Sequence, residues 1–250
     1  MPVLLVVALA LCALGTLAFA QAGSGAQSPP VGAAGGGAGD PVAGHQLFVE
    51  RCSSCHGTDG AGRRGRGPSV RGAGALAADF YLRTGRMPLA EPTDQPVRAP
   101  VQLTATQIDD LVAYVASFGG PGVPAVHPER GSLTRGQRLF TDSCAGCHTV
   151  AARGGIVLGG VAPALQQANA RQVAEAIRMG PYLMPRFGSG QLPPADVDAL
   201  ARYVLSTRDL PNRGGWAIGN LGPVPEGLVC WGLGIVVLLG AARLLGERTT

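Results

Sequence analysis

The sequence predicts an all-α protein with long loops between its helices. The middle of the chain contains two copies of one pattern, and each copy begins and ends with a segment of helical periodicity. No part of the middle alternates apolar and polar residues in the way that a half-buried strand does. An apolar segment lies at each end of the chain, outside the repeated region.

The composition excludes two broad classes of protein. All 20 basic residues of the 250 are arginine, and 16 acidic residues are scattered among them, so the formal net charge is only +4. Because no basic stripe forms, we expect no nucleic-acid partner. Hydrophobic residues make up 46% of the chain, which is too many for a protein that is disordered over its whole length.

The N-terminal segment, residues 1–20, is almost wholly apolar and ends in Ala-Phe-Ala, a pattern that suits signal cleavage. It is also just long enough to span a bilayer, so a cleaved signal peptide and a retained N-terminal anchor both stay open. Residues 21–40 are rich in Gly, Ala, Ser and Pro, which predicts a flexible tether. Both alternatives place the residues that follow outside the cytoplasm.

The C-terminal apolar segment predicts a transmembrane helix at 227–246, reached through a segment leading into the membrane at 211–226. Arg243 and Arg248 lie near its far end, so the positive-inside rule makes the tail at 247–250 cytoplasmic. We therefore expect a protein of the plasma membrane that contacts lipid and carries its middle region on the extracytoplasmic side.

The repeat divides the middle of the chain into two domains. A Gly and a Phe four residues apart precede a C-x-x-C-H motif in both copies, and His148 stands 92 positions after His56. Each copy ends with a helical pattern that carries a tyrosine, Tyr114 or Tyr203. We predict domains at 41–118 and 136–210, joined by a Pro- and Gly-rich linker at 119–135.

The C-x-x-C-H motif is typical of covalent haem c attachment, in which two thiols form thioethers with the haem and the histidine binds iron. The thiols are Cys52 and Cys55 in the first copy and Cys144 and Cys147 in the second, followed by His56 and His148. A zinc ribbon needs its cysteine pairs far closer together, and a thioredoxin-like motif needs a βαβ context. The sequence therefore predicts two covalently bound haem c groups.

The chain has only four methionines that could supply a sixth iron ligand. Met87, followed by proline, is the candidate for the first haem. For the second haem, Met179 keeps the spacing of 31 residues from the histidine, whereas Met184 keeps the Met-Pro context. We assign Met184, because Met179 falls in the preceding predicted helix, but Met179 stays open as a substitute. Met/His ligation leaves no open iron position and so favours electron transfer over catalysis.

Each half resembles a class I cytochrome c domain. The likeness rests on the Gly and Phe of the opening helix, the haem motif and the tyrosine of the closing helix. It implies that the small glycine lets the two helices cross closely. It also implies that a proline after the motif, Pro68 or Pro163, accepts a hydrogen bond from the histidine ring and thereby orients the iron ligand.

The whole arrangement is similar to the dihaem cytochrome c subunit of the actinobacterial cytochrome bc complex. The N-terminal apolar segment, tandem domains, Pro-Glu-Gly at 225–227 and C-terminal helix carry this likeness. It implies a redox subunit of a quinol–cytochrome c reductase that works with cytochrome b and Rieske iron–sulfur subunits. Electrons would pass from the Rieske centre, with menaquinol as reductant, through both haems to the copper centre of an aa-type oxidase.

Two other functions are compatible with two haems. A free-standing, membrane-anchored dihaem shuttle would need no bound partner. A dihaem peroxidase would need one haem with an open or displaceable ligand position, and a Met-Pro pair in each half disfavours that function.

Overall fold

The computed structural model describes residues 39–208 and 223–246. Segment 1–20, the tether up to residue 38, residues 209–222 and the tail 247–250 lie outside the described residues. The predictions made for those segments therefore stay predictions.

The first half of the repeat is helical. Asp40 caps the first helix by accepting a hydrogen bond from the Val42 amide, and Thr104 and Gln107 form a reciprocal capping box at the start of the last. Two further helices lie between the first and the last, and long loops lie before and after the second of them. The helices of this half are α1 (Pro41–Arg51), α2 (Ser53–His56), α3 (Gly74–Arg83) and α4 (Ala105–Ala116).

The second half follows the same order with two additions, a short 3₁₀ helix before it and a hairpin inside it. Ser132 caps its first helix, which begins at Leu133 and thus inside the range predicted for the linker. The capping hydroxyl explains the earlier start. The elements are the 3₁₀ helix (Pro128–Arg130), α5 (Leu133–Ser143), α6 (Ala145–His148), β1 (Gly155–Val157), β2 (Gly160–Ala162), α7 (Ala170–Met179) and α8 (Pro194–Ser206).

The hairpin is the one strand pair in the described residues that departs from the predicted helices and loops. Strands β1 and β2 pair antiparallel, with Gly155 opposite Ala162. Each strand has only three residues, which is too short for an alternation of apolar and polar side chains to be recognised. The architecture otherwise confirms the all-α prediction.

The opening and closing helices of each half cross at a glycine. A Cβ atom on Gly44 would lie 2.0 Å from the Asp110 carbonyl oxygen, and one on Gly136 would lie 2.0 Å from that of Ala199. The aromatic pairs beside the crossings repeat as well, since the ring centroids of Phe48 and its tyrosine partner are 5.2 Å apart in the first half. The same distance separates the corresponding rings, Phe140 and Tyr203, in the second half. The close crossing inferred from the resemblance is therefore present twice.

We expect Gly136→Ala to destabilise the protein by about 1–3 kcal/mol or more, because the added methyl group cannot fit against the backbone of α8. Chemical denaturation followed by circular dichroism measures this loss. Gly146→Ala is the matched control, since an added Cβ there has no atom within 4 Å. Equal stability of the two variants would contradict the close crossing.

Helices α3 and α7 join the two halves through a cluster of charged side chains. Arg83 donates a 2.7 Å hydrogen bond to Asp79 and pairs with Asp109, while Arg171 lies 3.8 Å from the second Asp79 oxygen. Glu175 is fully buried beside Asp79, and neither of its oxygens has a hydrogen-bond partner as a carboxylate. Burial, assisted by the negative charge of Asp79, raises the pKa of Glu175 to about 10. Glu175 is therefore protonated at neutral pH and can donate to Asp79.

We expect the folded protein to lose stability as pH rises from 4.5 towards 10, because only the unfolded chain releases the Glu175 proton freely in that range. Glu175→Gln keeps the shape and a donor but has no proton to lose. It should be more stable than the wild type by several kcal/mol at pH 9, since each unit of pKa shift contributes about 1.4 kcal/mol, and equal to it near pH 4. Urea midpoints across pH test this, with the exposed Glu50→Gln as control. Parallel pH profiles for wild type and Glu175→Gln would refute the assignment.

The C-terminal helix α9 (Pro223–Gly246) contains a 20-residue span, Gly227–Gly246, with a mean hydropathy of 2.2. None of this span is buried, and large apolar side chains such as Trp231 and Leu238 are exposed along it. A helix of this length and composition can cross the hydrocarbon core of a membrane. The bounds of the apolar span coincide with those of the predicted transmembrane segment.

Candidate haem sites

The first C-x-x-C-H motif borders a cavity of about 950 Å³. Helix α1 ends directly before the motif, so the helix crossing at Gly44 positions the cysteines and the histidine together. Leu82, Leu103 and Leu111 give the cavity an apolar wall. The structure thus brings all four residues predicted for the first haem onto one cavity, namely Cys52, Cys55, His56 and Met87.

A backbone carbonyl orients the first histidine. The Nδ1 atom of His56 is 2.8 Å from the carbonyl oxygen of Pro68, and because a carbonyl only accepts, Nδ1 carries the proton. Nε2 then keeps the lone pair that an iron ligand requires. Gly67 allows this approach, since a Cβ on it would lie 2.9 Å from the Cys55 carbonyl oxygen.

The second motif borders a second cavity, which is smaller at about 270 Å³. Cys144, Cys147, His148 and Met184 all line it, whereas Met179 is not among its lining residues. Met179 is the last residue of α7, and Gly180 then takes a left-handed conformation that turns the chain towards Met184. The described geometry therefore favours Met184 over Met179.

His148 is held like His56, with its Nδ1 atom 3.0 Å from the Pro163 carbonyl oxygen. Burial lowers the pKa of His148, while the hydrogen bond to Pro163 opposes that shift. The neutral ring with a free Nε2 is the form that binds iron. Pro68 and Pro163 thus both occupy the place that the resemblance gives them.

Before haem is attached, the cysteine that opens each motif is a protonated thiol at neutral pH. Burial raises the pKa of Cys52 to about 11 and, likewise, the pKa of Cys144 to about 11. Within the described residues, no group of three or more His, Cys, Asp or Glu side chains is placed to hold a bare metal ion. A pair of thiols beside one oriented imidazole fits haem c, which brings its own iron and bonds covalently to both sulfurs.

The comparisons with known proteins agree with this donor set. Residues 41–119 match the family described as cytochrome c, and residues 131–204 match cytochrome c oxidase, cbb3-type, subunit III. The cytochrome bc1 complex cytochrome c subunit of Corynebacterium efficiens is 36% identical over 225 residues, covering 82% of this chain and 76% of that protein. The chain belongs to the family of cytochrome bc1 complex cytochrome c subunits. It is therefore a membrane cytochrome c that carries electrons, and covalently bound haem c is its cofactor.

Other relatives extend this picture of the cytochrome c subunit family. The subunit of Mycobacterium tuberculosis is 38% identical, covering 82% of this chain and 77% of its own length. The cbb3-type cytochrome c oxidase subunit CcoP of Azospirillum is 30% identical, covering 64% of this chain and 60% of that protein. Reduced cytochrome c4 from Pseudomonas stutzeri matches at 23% identity with a TM-score of 0.26, covering 67% of this chain and 98% of its own.

Sequence reasoning missed the residues of the first half that line the second cavity. These residues include Phe80, Tyr81, Arg86, Gln95 and Arg98. They belong to no motif, and only the position of Arg86 directly before Met87 connects it with haem chemistry. The second candidate haem site is therefore lined by both halves of the chain.

We expect Met184→His to lower the potential of the second haem, because an imidazole replaces a thioether that favours reduced iron. The drop should be on the order of a tenth of a volt or more, within the ~0.8 V that axial ligands span. Spectroelectrochemical titration measures it. Met179→Leu should leave the potential unchanged, and the reverse pattern would show that Met179 is the ligand.

Proposed function

We propose that the protein is a membrane-anchored dihaem electron carrier that links a menaquinol-oxidising cytochrome bc complex to an aa-type oxidase. It takes electrons from the Rieske centre and delivers them to the copper centre of the oxidase. The observation that carries the proposal is that each of two cavities holds a complete set of two thiols, an oriented imidazole and a thioether.

The residues of the chain perform the binding and the orientation. In this proposal the two cysteines of each motif would bind haem covalently, and the histidine and methionine would be the protein ligands of its iron. Haem c supplies a one-electron iron couple when bound. The Pro68 and Pro163 carbonyls hold the imidazole rings in place, and the close helix crossings keep the cavity walls rigid. Such rigidity suits a carrier, since little rearrangement accompanies the gain or loss of an electron.

The predicted iron ligands also distinguish an electron carrier from a peroxidase. A peroxidase needs an iron position that peroxide can reach. Met87 and Met184 each lie on the cavity that holds the corresponding histidine. Since the histidine and the methionine of each cavity would both bind the iron, electron transfer is the function that the two sites support.

The partners are inferred from the relatives. The relatives from Corynebacterium and Mycobacterium are subunits of a bc1 complex, which supports assembly with cytochrome b and Rieske subunits. The similarity to CcoP, a subunit of an oxidase, supports an oxidase as the acceptor. Membership of a complex favours the bound carrier over a free-standing shuttle.

The membrane anchor gives the proposal its topology. Helix α9 crosses the bilayer, with the haem domains on the extracytoplasmic side and the C-terminus, after Arg243 and Arg248, in the cytoplasm. A tethered carrier meets its partners at a high local concentration, so it does not depend on diffusion through bulk solvent.

We expect electron flow from quinol to oxygen in native membranes to need no added soluble cytochrome c. Ending the chain before Gly227 should release a fragment with unchanged spectra and lower this flow by about tenfold or more, since the tether no longer concentrates the carrier. Oxygen consumption measures the flow, and a pyridine haemochrome assay should find two haem c per chain.

Four results would count against the proposal. One haem per chain would exclude a dihaem carrier. Normal flow with the released fragment would favour the free-standing shuttle, as would failure to co-purify with cytochrome b and Rieske subunits. Rapid turnover of hydrogen peroxide would favour a peroxidase.

A further inference from the structure

The wall that the first half contributes to the second cavity carries two arginines, Arg86 and Arg98. Both side chains are partly buried, and they lie close enough to repel each other electrostatically. Arg86 comes from the loop after α3, and Arg98 from the long loop before α4. Two cations therefore border a cavity whose other walls belong to the second half.

Neither arginine has an acidic partner among the described residues. One face of the Arg86 guanidinium covers the Phe80 ring at 4.9 Å, but its buried Nη1 atom has no hydrogen-bond acceptor. Arg98 donates one hydrogen bond of 2.9 Å, from Nη2 to the side-chain oxygen of Gln172 in α7. The remaining donors of both guanidinium groups are left without an anion.

Two partly buried arginines without an acidic partner lower the stability of the folded protein unless an anion binds to them. Taking a charge out of water destabilises the folded protein unless an opposite charge or hydrogen bonds compensate. Arg83, by contrast, pairs with both Asp79 and Asp109. Arg86 and Arg98 border the same cavity, which indicates that the missing anion belongs to whatever fills it.

Resting on the proposed function, we infer that Arg86 and Arg98 of the first half bind the propionate carboxylates of the haem held by the second half. Haem carries two propionates, and the planar fork of arginine matches a carboxylate with two parallel hydrogen bonds. The bond to Gln172 fixes the Arg98 side chain against α7, which also lines the second cavity.

This arrangement distinguishes the two haem sites. The first cavity is lined only by residues of the first half, and the arginines around it, such as Arg63 and Arg64, are exposed. The second haem instead depends on both halves. Since Arg86 directly precedes Met87, one short segment contacts the propionates of one haem and supplies the proposed iron ligand of the other.

The test compares the full-length, haem-loaded protein with three glutamine variants, R86Q, R98Q and the control R138Q. Arg138 is an exposed residue of α5 in the second half, so R138Q removes the same charge outside the cavity. Haem content is measured first, because fewer than two haem c per wild-type chain would refute the proposed function rather than this inference. In a redox titration, the second haem is the one whose midpoint potential changes in Met184→His.

We expect R86Q and R98Q each to lower the ratio of reduced to oxidised second haem about tenfold at a fixed solution potential. For one electron, a tenfold change in this ratio corresponds to a shift of 59 mV in the midpoint potential. A positive charge near a haem favours its reduced form, and its loss has the opposite effect. R138Q should shift the ratio less than twofold. The first haem should keep its potential in R98Q.

Lysine variants keep the inference testable if a glutamine variant fails to take up haem. R86K and R98K retain the positive charge but lose the two parallel donors of the guanidinium group. They should keep both haems. On a logarithmic scale, they should shift the ratio of reduced to oxidised second haem by less than half as much as the glutamine variants do. Two loaded haems whose second potential is the same in R86Q, R98Q and R138Q would overturn the inference. So would lysine variants that shift the ratio as far as glutamine does.

Discussion

The architecture depends on the close crossing of the opening and closing helices in each half. At Gly44 and Gly136 the two backbones approach so closely that a single added carbon would lie 2.0 Å from a carbonyl oxygen. The haem motif begins where the opening helix ends, so the crossing sets the position of both cysteines and the histidine. A shift of either helix would move the covalent attachment points relative to the loop that carries the methionine.

The iron ligands gain their orientation from the backbone rather than from other side chains. A proline carbonyl accepts the Nδ1 proton of each histidine, at 2.8 Å in the first half and 3.0 Å in the second. Because proline has no amide proton of its own and a restricted backbone, the carbonyl is held without competition from a regular hydrogen-bond ladder. The two halves share this device although their loops differ in length and only the second contains a hairpin.

The two halves are coupled through buried charge. Burial and the neighbouring Asp79 of α3 raise the pKa of Glu175 in α7, and the oppositely charged Arg83 and Arg171 lie against Asp79. A few residues away, Arg86 and Arg98 border the second cavity without an anion of their own. Both features place charges from one half against the other, so the two domains are joined by a specific interface and not by the linker alone.

The sequence by itself determined the all-α class, the repeat, the haem motifs and the span of the C-terminal apolar helix. These features are local, because a motif within one helical turn or an apolar run needs no knowledge of distant residues. Only the tertiary structure placed Met184 on the cavity and Met179 off it, formed the hairpin at 155–162 and brought Arg86 to the second site. These outcomes depend on how loops and domains pack, and titratable side chains such as Glu175 become informative only when burial removes them from water.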